Sequence, residues 1–525
     1  MAAGLTQDNY RIRHILPGPL PRQVSAQQFE VDFGSPESVG ALRQLLTASG
    51  DSIGAVINFL GVSEPFAVSG CPSGELALQV TRWSFNFLKE FANDLVTASQ
   101  AGGGWVLNLT GLDGQFGLTR GGRMALTSAG LLGLFKSFRL EYPSLSVKNV
   151  DLDLSAPNPL LAGRLIEELG EPGKAYEIGI NAQGRWTLQL TKTTPHASQL
   201  GALPLDRESV VMITGGAYGI TCDVAQRLAT LAQPRLILVG RSPLPDEEPD
   251  ETRRMNPQQL RLHLIAQRKA LGQPLIPAQI EQNLKRMLKD RQILENLRLL
   301  EATGATVEYH SLDVRNEDTF GGLIDNVYAR FGRLDGVIHG AGVIEDKLIR
   351  DKTPQSYANV FSTKVDSALV LARKLRSESL KFLVFFSSVS GRFGNNGQCD
   401  YSAANEFLNK LADDLDRQWP GRVVAVNWGA WDAGMVSDEL RKLYASRNIH
   451  LIPIPDGVRF LEHELRLTGH RESEVVIACS VPQLARMVAG ESQALSEAAG
   501  LHPRGLPPQD VVALSDSRPF GAFHG

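Results

Sequence analysis

Cysteine is scarce in this 525-residue chain: Cys71, Cys222, Cys399 and Cys479 are the 4 present, far apart and forming no C-x-x-C pair. That spacing argues against a disulfide framework or a thiolate zinc site, and a reducing compartment, the cytoplasm, is expected. No run of 18 apolar residues occurs, which argues against a membrane span. The opening MAAGLTQDNYRIRH has no apolar stretch after a basic start, so no secretory signal is expected. Neither charge dominates: 53 basic and 57 acidic residues give a net −4, which makes no electrostatic case for nucleic acid as the main partner. The 50 glycines and 28 prolines are spread along the chain, so no long flexible linker stands out.

What remains is an ordinary globular composition, 43% hydrophobic and 21% charged. At roughly 150 residues per domain the chain has room for two to four domains. In the second half, apolar or β-branched runs at 210–214, 235–240, 306–312, 336–341, 381–388 and 422–428 alternate with helical patterns. That alternation predicts βαβ units and an α/β fold with a doubly wound parallel sheet. The first half repeats part of the series. GAVINFLG (54–61) echoes GVIHGAG (336–342), and WVLNLTGLDGQFG (105–117) echoes FLVFFSSVSGRFG (382–394). A helix-like SAGLLGLFKSFRLEYP (128–143) then leads to VKNVDLD (147–153), as NEFLNKLADDLDRQW leads to RVVAVNW. The shared order predicts a duplicated Rossmann-like unit, the first copy truncated.

Between the second and third strands of the later copy stands an insertion, 243–303, about three times the usual length of such a connection. It opens with the acidic, turn-rich PLPDEEPDE and continues as helical patterns over 257–271 and 277–302. Ile280, Leu284, Met287, Leu288, Leu294 and Leu297 mark one face of the second. Helices packed on the domain's flank are expected, with a partner contact as the alternative.

Thr214-Gly215-Gly216-Ala217-Tyr218-Gly219-Ile220 directly follows a strand and opens a helix. Glycines there let the backbone approach a pyrophosphate held at the helix N-terminus, which points to a dinucleotide. The spacing departs from G-x-G-x-x-G, because Tyr218 and Thr221 stand where other dinucleotide folds often use glycine. The second strand ends in Gly240-Arg241-Ser242. A carboxylate there would take the ribose 2′-OH of NAD, whereas an arginine suits the 2′-phosphate of NADP, so NADPH is the expected cofactor. Asp313, ending the third strand, either accepts from the adenine amino group or caps the following helix.

The decisive group follows the fifth strand. Ser388 closes it, Tyr401 lies 13 residues on, and Asn405 stands one helical turn beyond Tyr401. Lys364 sits on the preceding helix, and a doubly wound sheet gathers all four at the carboxyl ends of its strands, beside the nicotinamide. Reducing a ketone by hydride requires a proton donor for the developing alkoxide. A tyrosine serves once a nearby ammonium lowers its pKa from about 10. A neighbouring hydroxyl orients the carbonyl oxygen, and an asparagine can hold a water linking lysine to solvent. Each residue alone has a structural use; their combination downstream of a nucleotide turn points to hydride transfer.

GGAYGIT, HGAGVIED (339–346), the Lys364/Ser388/Tyr401/Asn405 set, YSAAN (401–405) and NWGAWDAGM (427–435) together resemble ketoreductase domains of polyketide synthases. Those are short-chain dehydrogenase/reductase relatives in which lysine and asparagine exchange positions. The insertion after GRSPLP and the FGLTRGG…GLLGLFKSFRLEYP segment are more similar to ketoreductases of iterative synthases, polyunsaturated fatty-acid and enediyne synthases included. The resemblance covers roughly residues 30–490. It implies a first half without a cofactor site; superposing GQFG (114–117) on GRFG (391–394) sets Met124 opposite Tyr401 and Gly111 opposite Ser388. It also implies cofactor contacts from the Thr214–Ile220 turn, Arg241, Ser242, Asp313, Val314, Gly340, Ala341 and Gly342. Members making the D-configured β-hydroxyl usually carry Leu-Asp-Asp where this chain has Ile344-Glu345-Asp346, and those making the opposite alcohol carry tryptophan where Phe393 stands. Asp346 and Phe393 are therefore the expected stereocontrol positions, and the D product is favoured. NWGAWDAGM resembles the family's substrate lid, with Met435 closing over the acyl chain.

The expectation is an NADPH-dependent reductase of a 3-ketoacyl chain, thioester-linked to the phosphopantetheine of an acyl carrier protein and flanked by neighbouring synthase domains. No metal, nucleic acid or membrane enters it. The expected division is a structural, degenerate Rossmann-like subdomain over 1–205, a catalytic NADPH-binding subdomain over 206–495 with the insertion at 243–303, and a linker-like tail over 496–525. The alternatives are a non-reducing domain kept for architecture and an epimerase acting on the α-carbon.

Overall fold

The computed structural model describes residues 11–48, 53–67, 70–119, 124–170, 175–193, 199–433, 438–446, 449–469, 472–479 and 511–519. A small sheet of β1 (His14–Pro17), β2 (Arg22–Gln23) and β3 (Gln28–Val31), in the order β1-β3-β2, comes first. Helix α1 (Pro36–Thr47) starts at Ser35, whose hydroxyl accepts from the Ser38 N–H, with proline in the first turn. There follow β4 (Ala55–Asn58), α2 (Gly74–Ser99), β5 (Trp105–Thr110), α3 (Ala129–Glu141), β6 (Ser146–Leu152), α4 (Asn158–Gly170), β7 (Glu177–Ile180) and β8 (Arg185–Thr193).

The second half begins with β9 (Val210–Thr214), α5 (Ile220–Ala232) and β10 (Arg235–Gly240). The insertion folds as α6 (Asp250–Arg253), α7 (Pro257–Ala270) and α8 (Pro277–Ala302). Then come β11 (Thr306–Ser311), α9 (Glu317–Phe331), β12 (Gly336–His339), α10 (Pro354–Lys374), β13 (Phe382–Ser388), α11 (Val389–Phe393) and α12 (Cys399–Gln418). The series closes with β14 (Arg422–Trp428), α13 (Asp438–Ser446), α14 (Ile454–Arg466), β15 (Glu474–Ile477) and β16 (Val511–Pro519). Among the described residues no helix is long and apolar enough to cross a membrane.

Parallel strands of the second half stand in the order β11-β10-β9-β12-β13-β14-β15. The order reverses between β9 and β12, which opens a crevice at their carboxyl ends. Every residue of β9, β12, β13 and β14 is buried, as a sheet covered by helices on both faces requires. In the first half β4, β5, β6 and β7 are parallel neighbours in chain order, and β8 pairs antiparallel with β7. These four strands repeat the run β12-β13-β14-β15. The sheet ends at β4, so among the described residues nothing in the first half stands where β9, β10 and β11 stand in the second.

One expectation changes here. Part of the stretch expected to be a linker-like tail, 511–519, forms β16, antiparallel to both β15 and β8, and so joins the two halves into one 13-stranded sheet. The β-branched start of VVALSDSRP suits the unfilled hydrogen-bonding edges that β15 and β8 present to each other. The rest of 496–525 lies outside the described residues.

The halves meet through helices. α3 packs on α12, and α2 on α10, so equivalent helices of the two copies face each other. Contact is closest where side chains are missing. A Cβ on Gly133 of α3 would lie 2.1 Å from the Ser402 carbonyl oxygen, and one on Gly394 would lie 2.6 Å from the Lys136 carbonyl carbon. The Ser137 hydroxyl donates to that of Ser402 at 2.9 Å. The insertion lies on the flank: Leu260, Leu264, Ile280 and Leu284 bury between α7 and α8, while Ile293 and Leu300 join the core over α5. Its acidic run is held by the same helix, Glu248 by Arg291 at 2.8 and 2.9 Å and Glu247 by Arg298 at 3.6 Å.

Alanine has the higher helix propensity, but at Gly133 it forces α3 off α12. We expect Gly133→Ala to lower the unfolding free energy by about 1–3 kcal/mol in denaturant titration, the usual range for overpacking. An unchanged or raised midpoint would show that the helices are not in backbone contact.

Candidate active site

The nucleotide turn begins where β9 ends. Gly215 (φ +77°) and Gly219 (φ +64°) adopt backbone conformations that favour glycine. α5 has no side-chain cap at Gly219, so its first N–H groups are free to meet an anion. Thr221, an apparent departure from the glycine pattern, closes the turn instead: its hydroxyl donates to the carbonyls of Gly215 (2.6 Å) and Tyr218 (3.1 Å). Its methyl occupies the space over Gly340, where a Cβ would sit 2.1 Å from it. The turn is also held from outside, for buried Asn296 on α8 donates to the Ala217 carbonyl at 3.0 Å. Asn296 escaped the sequence analysis; its only signal is a polar residue on the inward face of an otherwise leucine-lined helix.

At the end of β10, Arg241 is exposed. The Tyr309 hydroxyl donates to the Ser242 carbonyl at 2.6 Å, fixing this second turn beside the first. Val314 is buried. Asp313 does not cap the following helix. Asn316 caps α9, accepting from the Thr319 N–H at 3.0 Å. The Asp313 carboxylate is taken by the Arg315 guanidinium, at 3.0 Å from Nε to either oxygen, and that bond holds its pKa below the usual range. A short local ion pair outcompetes the cap.

The four catalytic candidates do converge. Tyr401 stands in the first turn of α12, partly buried. Burial pushes its phenol up to about 12, against the pull of Asn405 and Ser388, while the Asp346 carboxylate adds to the rise. The Lys364 ammonium lies 5.6 Å from the centre of the Tyr401 ring and donates to the Phe386 carbonyl at 2.7 Å. Desolvation lowers its pKa to about 7. Asn405 donates to the Tyr401 carbonyl at 2.8 Å, and its buried Oδ1 accepts from no protein group, which suits it to a water. Ser388, at the end of β13, caps α11 by accepting from the Ser390 N–H at 3.1 Å. Gly342, expected at the cofactor, clears the lysine as well, since a Cβ there would lie 2.9 Å from Lys364 Cε.

His339, also missed in the sequence, links these parts. The Thr214 hydroxyl accepts from the N–H groups of Gly340 and Ala341, both at 3.1 Å, so its hydrogen points to His339 Nδ1, 2.9 Å away. Nε2 then carries the ring proton toward the Lys364 carbonyl (3.2 Å) and Ser367 hydroxyl (3.1 Å). Burial, reinforced by the nearby Lys364 charge, lowers its pKa to about 3, so the ring is neutral. The nucleotide turn, β12 and the lysine-bearing helix are thereby locked together.

The residues expected to steer stereochemistry separate. Asp346 accepts from the Gln398 amide at 3.1 Å through either oxygen, beside Tyr401, and caps no helix. Glu345 points elsewhere, to Ser356 at 2.6 Å and to Asn359. Phe393 is a correction: at 5% exposure it is packed among Val476, Ala478, Leu190 and Val389, a core position where the halves meet. Trp428 and Trp431 of the expected lid are buried edge to face at 4.8 Å, so the start of that segment is anchored. Met435 lies outside the described residues.

The same edge of the first half is filled. Buried Asp151 accepts from the Thr110 hydroxyl and the N–H groups of Leu112 and Phe116, each at 2.8 Å. Asp113 gathers the N–H groups of Gln115 and Gly117, both at 2.8 Å. Met124, opposite Tyr401, is buried with its sulfur 3.0 Å from Arg417. Among the described residues no group of three or more His, Cys, Asp or Glu could hold a metal.

Residues 209–433 match the family model described as "KR domain". A polyunsaturated fatty acid synthase polypeptide of Thraustochytrium sp. is 30% identical over 390 residues, 70% of this chain and 14% of that protein. The polyketide synthase PksN of Bacillus subtilis is 28% identical over 322 residues, 59% of this chain and 5% of that protein. The chain thus spans a small part of the curated relatives it matches. Among solved structures, an N-terminal ketoreductase from the macrolactin assembly line superposes with a TM-score of 0.65 at 20% identity, covering 91% of this chain and 83% of its own. An A-type ketoreductase from a modular polyketide synthase gives 0.65 at 20%, covering 87% and 84%. At those identities the likeness is one of fold.

The low pKa of Lys364 has a measurable consequence. Between about pH 7 and the ordinary lysine range the unfolded chain binds this proton and the folded chain does not, so stability rises with pH there on its account. Relative to Lys364→Met, the wild type should gain unfolding free energy between about pH 7 and pH 9.5. Parallel pH dependences would mean that Lys364 stays charged throughout.

Proposed function

Residues 209–433 form a KR domain of the kind carried by polyketide and polyunsaturated fatty-acid synthases, and on that premise we propose that the chain reduces the β-keto group of an acyl thioester on acyl carrier protein, with NADPH as reductant. One observation carries this reading: Lys364, Ser388 and Asn405 gather around the phenol of Tyr401, at the crevice into which the Gly215–Gly219 turn opens. The residues present fit the cofactor. Glycines at positive φ and an uncapped helix start suit its pyrophosphate, and Arg241 suits its 2′-phosphate. Bound NADPH would supply the hydride.

The chain's own residues supply the rest. Tyr401, with its pKa near 12, keeps its proton at neutral pH and can give it up only as negative charge grows on the substrate oxygen. The Ser388 hydroxyl orients that oxygen and shares its charge. The phenolate left behind is favoured by the N-terminus of α12 and by the Lys364 ammonium. Asn405 Oδ1 would hold the water that returns a proton from solvent. Of the expected stereocontrol positions, Asp346 borders the tyrosine, so it is the one to which we assign the lean toward the D-hydroxyl product. The catalytic work then belongs to 206–495 and the first half, 1–205, is structural; carrier protein and neighbouring synthase domains are the partners.

The test is NADPH oxidation with acetoacetyl and longer 3-ketoacyl thioesters, wild type beside Tyr401→Phe. We expect turnover that falls by about 10²- to 10⁴-fold in the variant, the usual worth of a positioned acid, and weak turnover with NADH. NADPH binding without turnover on any thioester would favour an architectural domain instead.

A further inference from the structure

Helix α8 of the insertion takes no part in the reaction above, yet it reaches the cofactor side of the crevice. Buried Asn296 ties it to the nucleotide turn through the Ala217 carbonyl. Two turns back on the same face, the Lys289 ammonium lies 5.8 Å from the centre of the Tyr218 ring. Between Tyr218 and this face runs an open cleft of about 620 Å³, lined also by Lys285, Leu288, Gln292 and Glu295. Farther along, Asp290 lies near Tyr309, whose hydroxyl holds the Ser242 carbonyl next to Arg241. One helix therefore borders both turns between which the adenosine ribose of a dinucleotide is read.

The charges in the cleft are unevenly used. Arg291, which also lines the cleft, is bound by Glu248 at 2.8 Å, through the acidic run that opens the insertion. Lys285 and Lys289 are exposed and line the cleft with the Glu295 carboxylate, and Lys285 also lies near Glu281, whose carboxylate is held by Arg261. Tyr218, at 44% exposure, holds a large ring in solvent at a position where glycine would serve the turn. A cation pair beside an aromatic plane is a site for a phosphorylated ribose: the ring stacks, and the ammonium groups meet the phosphate.

We propose that α8 forms the outer wall of the cofactor site, with Lys289 and Lys285 binding the 2′-phosphate of NADPH and Tyr218 stacking against its adenosine. The insertion is then a specificity element for the phosphorylated cofactor, working with Arg241 from the opposite side. This rests on the NADPH reading given above.

Calorimetric binding of 2′,5′-ADP, 5′-ADP, NADPH and NADH to the full chain tests it without turnover. In the Lys285→Ala/Lys289→Ala variant, affinity for 2′,5′-ADP and NADPH should fall by about tenfold or more while that for 5′-ADP and NADH holds, as the loss of charged phosphate contacts requires. Arg261→Ala, which removes a cation of the insertion paired with Glu281, should bind like the wild type. Unchanged affinities in the double variant, or an equal loss in Arg261→Ala, would overturn the assignment. Wild type that binds no nucleotide would overturn the NADPH reading instead.

Discussion

Backbone-to-backbone contact between α3 and α12 is the constraint on which the geometry of the candidate site depends. Gly133 lies against Ser402, the residue after the tyrosine, so the position of the phenol is set by a helix of the other half. Buried ions tie the same place from behind. The Lys136 ammonium sits 3.0 Å from Glu177 and 3.1 Å from Glu406, and Arg392 meets Glu177 through paired bonds of 2.7 Å. Burial alone would raise the Glu177 pKa; Arg392 and Lys136 overcome it and hold the group at about 2. Glu406 adjoins Asn405, and Arg392 follows Ser388 on α11, so both arms of the site are fastened to one cluster. Breaking such a cluster by removing one member strands a buried charge, at a cost of about 3–5 kcal/mol. Glu141, at the end of α3, reaches farther and accepts from the Ile349 N–H (2.7 Å) and the Gly397 N–H (3.0 Å), pinning loops on two sides of the tyrosine.

The electrostatics of the site follow from enclosure. Tyr401 is kept protonated, His339 neutral, and Lys364 near its point of half-charge, each chiefly because burial disfavours its charged form. In an enclosure of this kind a charge forming on the Tyr401 side is strongly felt by the Lys364 ammonium 5.6 Å from the ring centre. A protonated histidine would compete for that role. Burial and the Lys364 charge prevent it, and the Thr214 hydroxyl, which accepts from two N–H groups, stands 2.9 Å from Nδ1.

Much of this is legible in the sequence, and the parts that are not share a reason. Strand periodicity gives β9, β10 and β14 to the residue, and helix spacing puts Tyr401 and Asn405 on one face, because both are local properties of the chain. Asn296, Glu141 and His339 act through contacts between segments distant in sequence, which no local pattern encodes. Asp313 misleads only as a helix cap, because Asn316 takes that place while Arg315, two residues on, holds the Asp313 carboxylate. Phe393 is placed at the site by resemblance alone, whereas its burial depends on Val476 and Leu190, one from each half. β16 is hidden in a Pro- and Gly-rich tail because its reason for pairing lies in the open edges it fills.

Equivalent helices facing across a duplicated sheet are the geometry of a two-fold dimer, written here in a single chain. Two separate protomers would part on dilution, and their stability would vary with concentration. Covalent joining makes the association intramolecular and fixes the effective concentration of one half for the other. It also removes the demand that both surfaces stay self-complementary. Each change on one side then occurs once rather than twice, so Gly111 and Met124 can stand opposite Ser388 and Tyr401 without loss of the remaining site. The first half is then free to drift away from the faces it turns toward α10, α12 and β16.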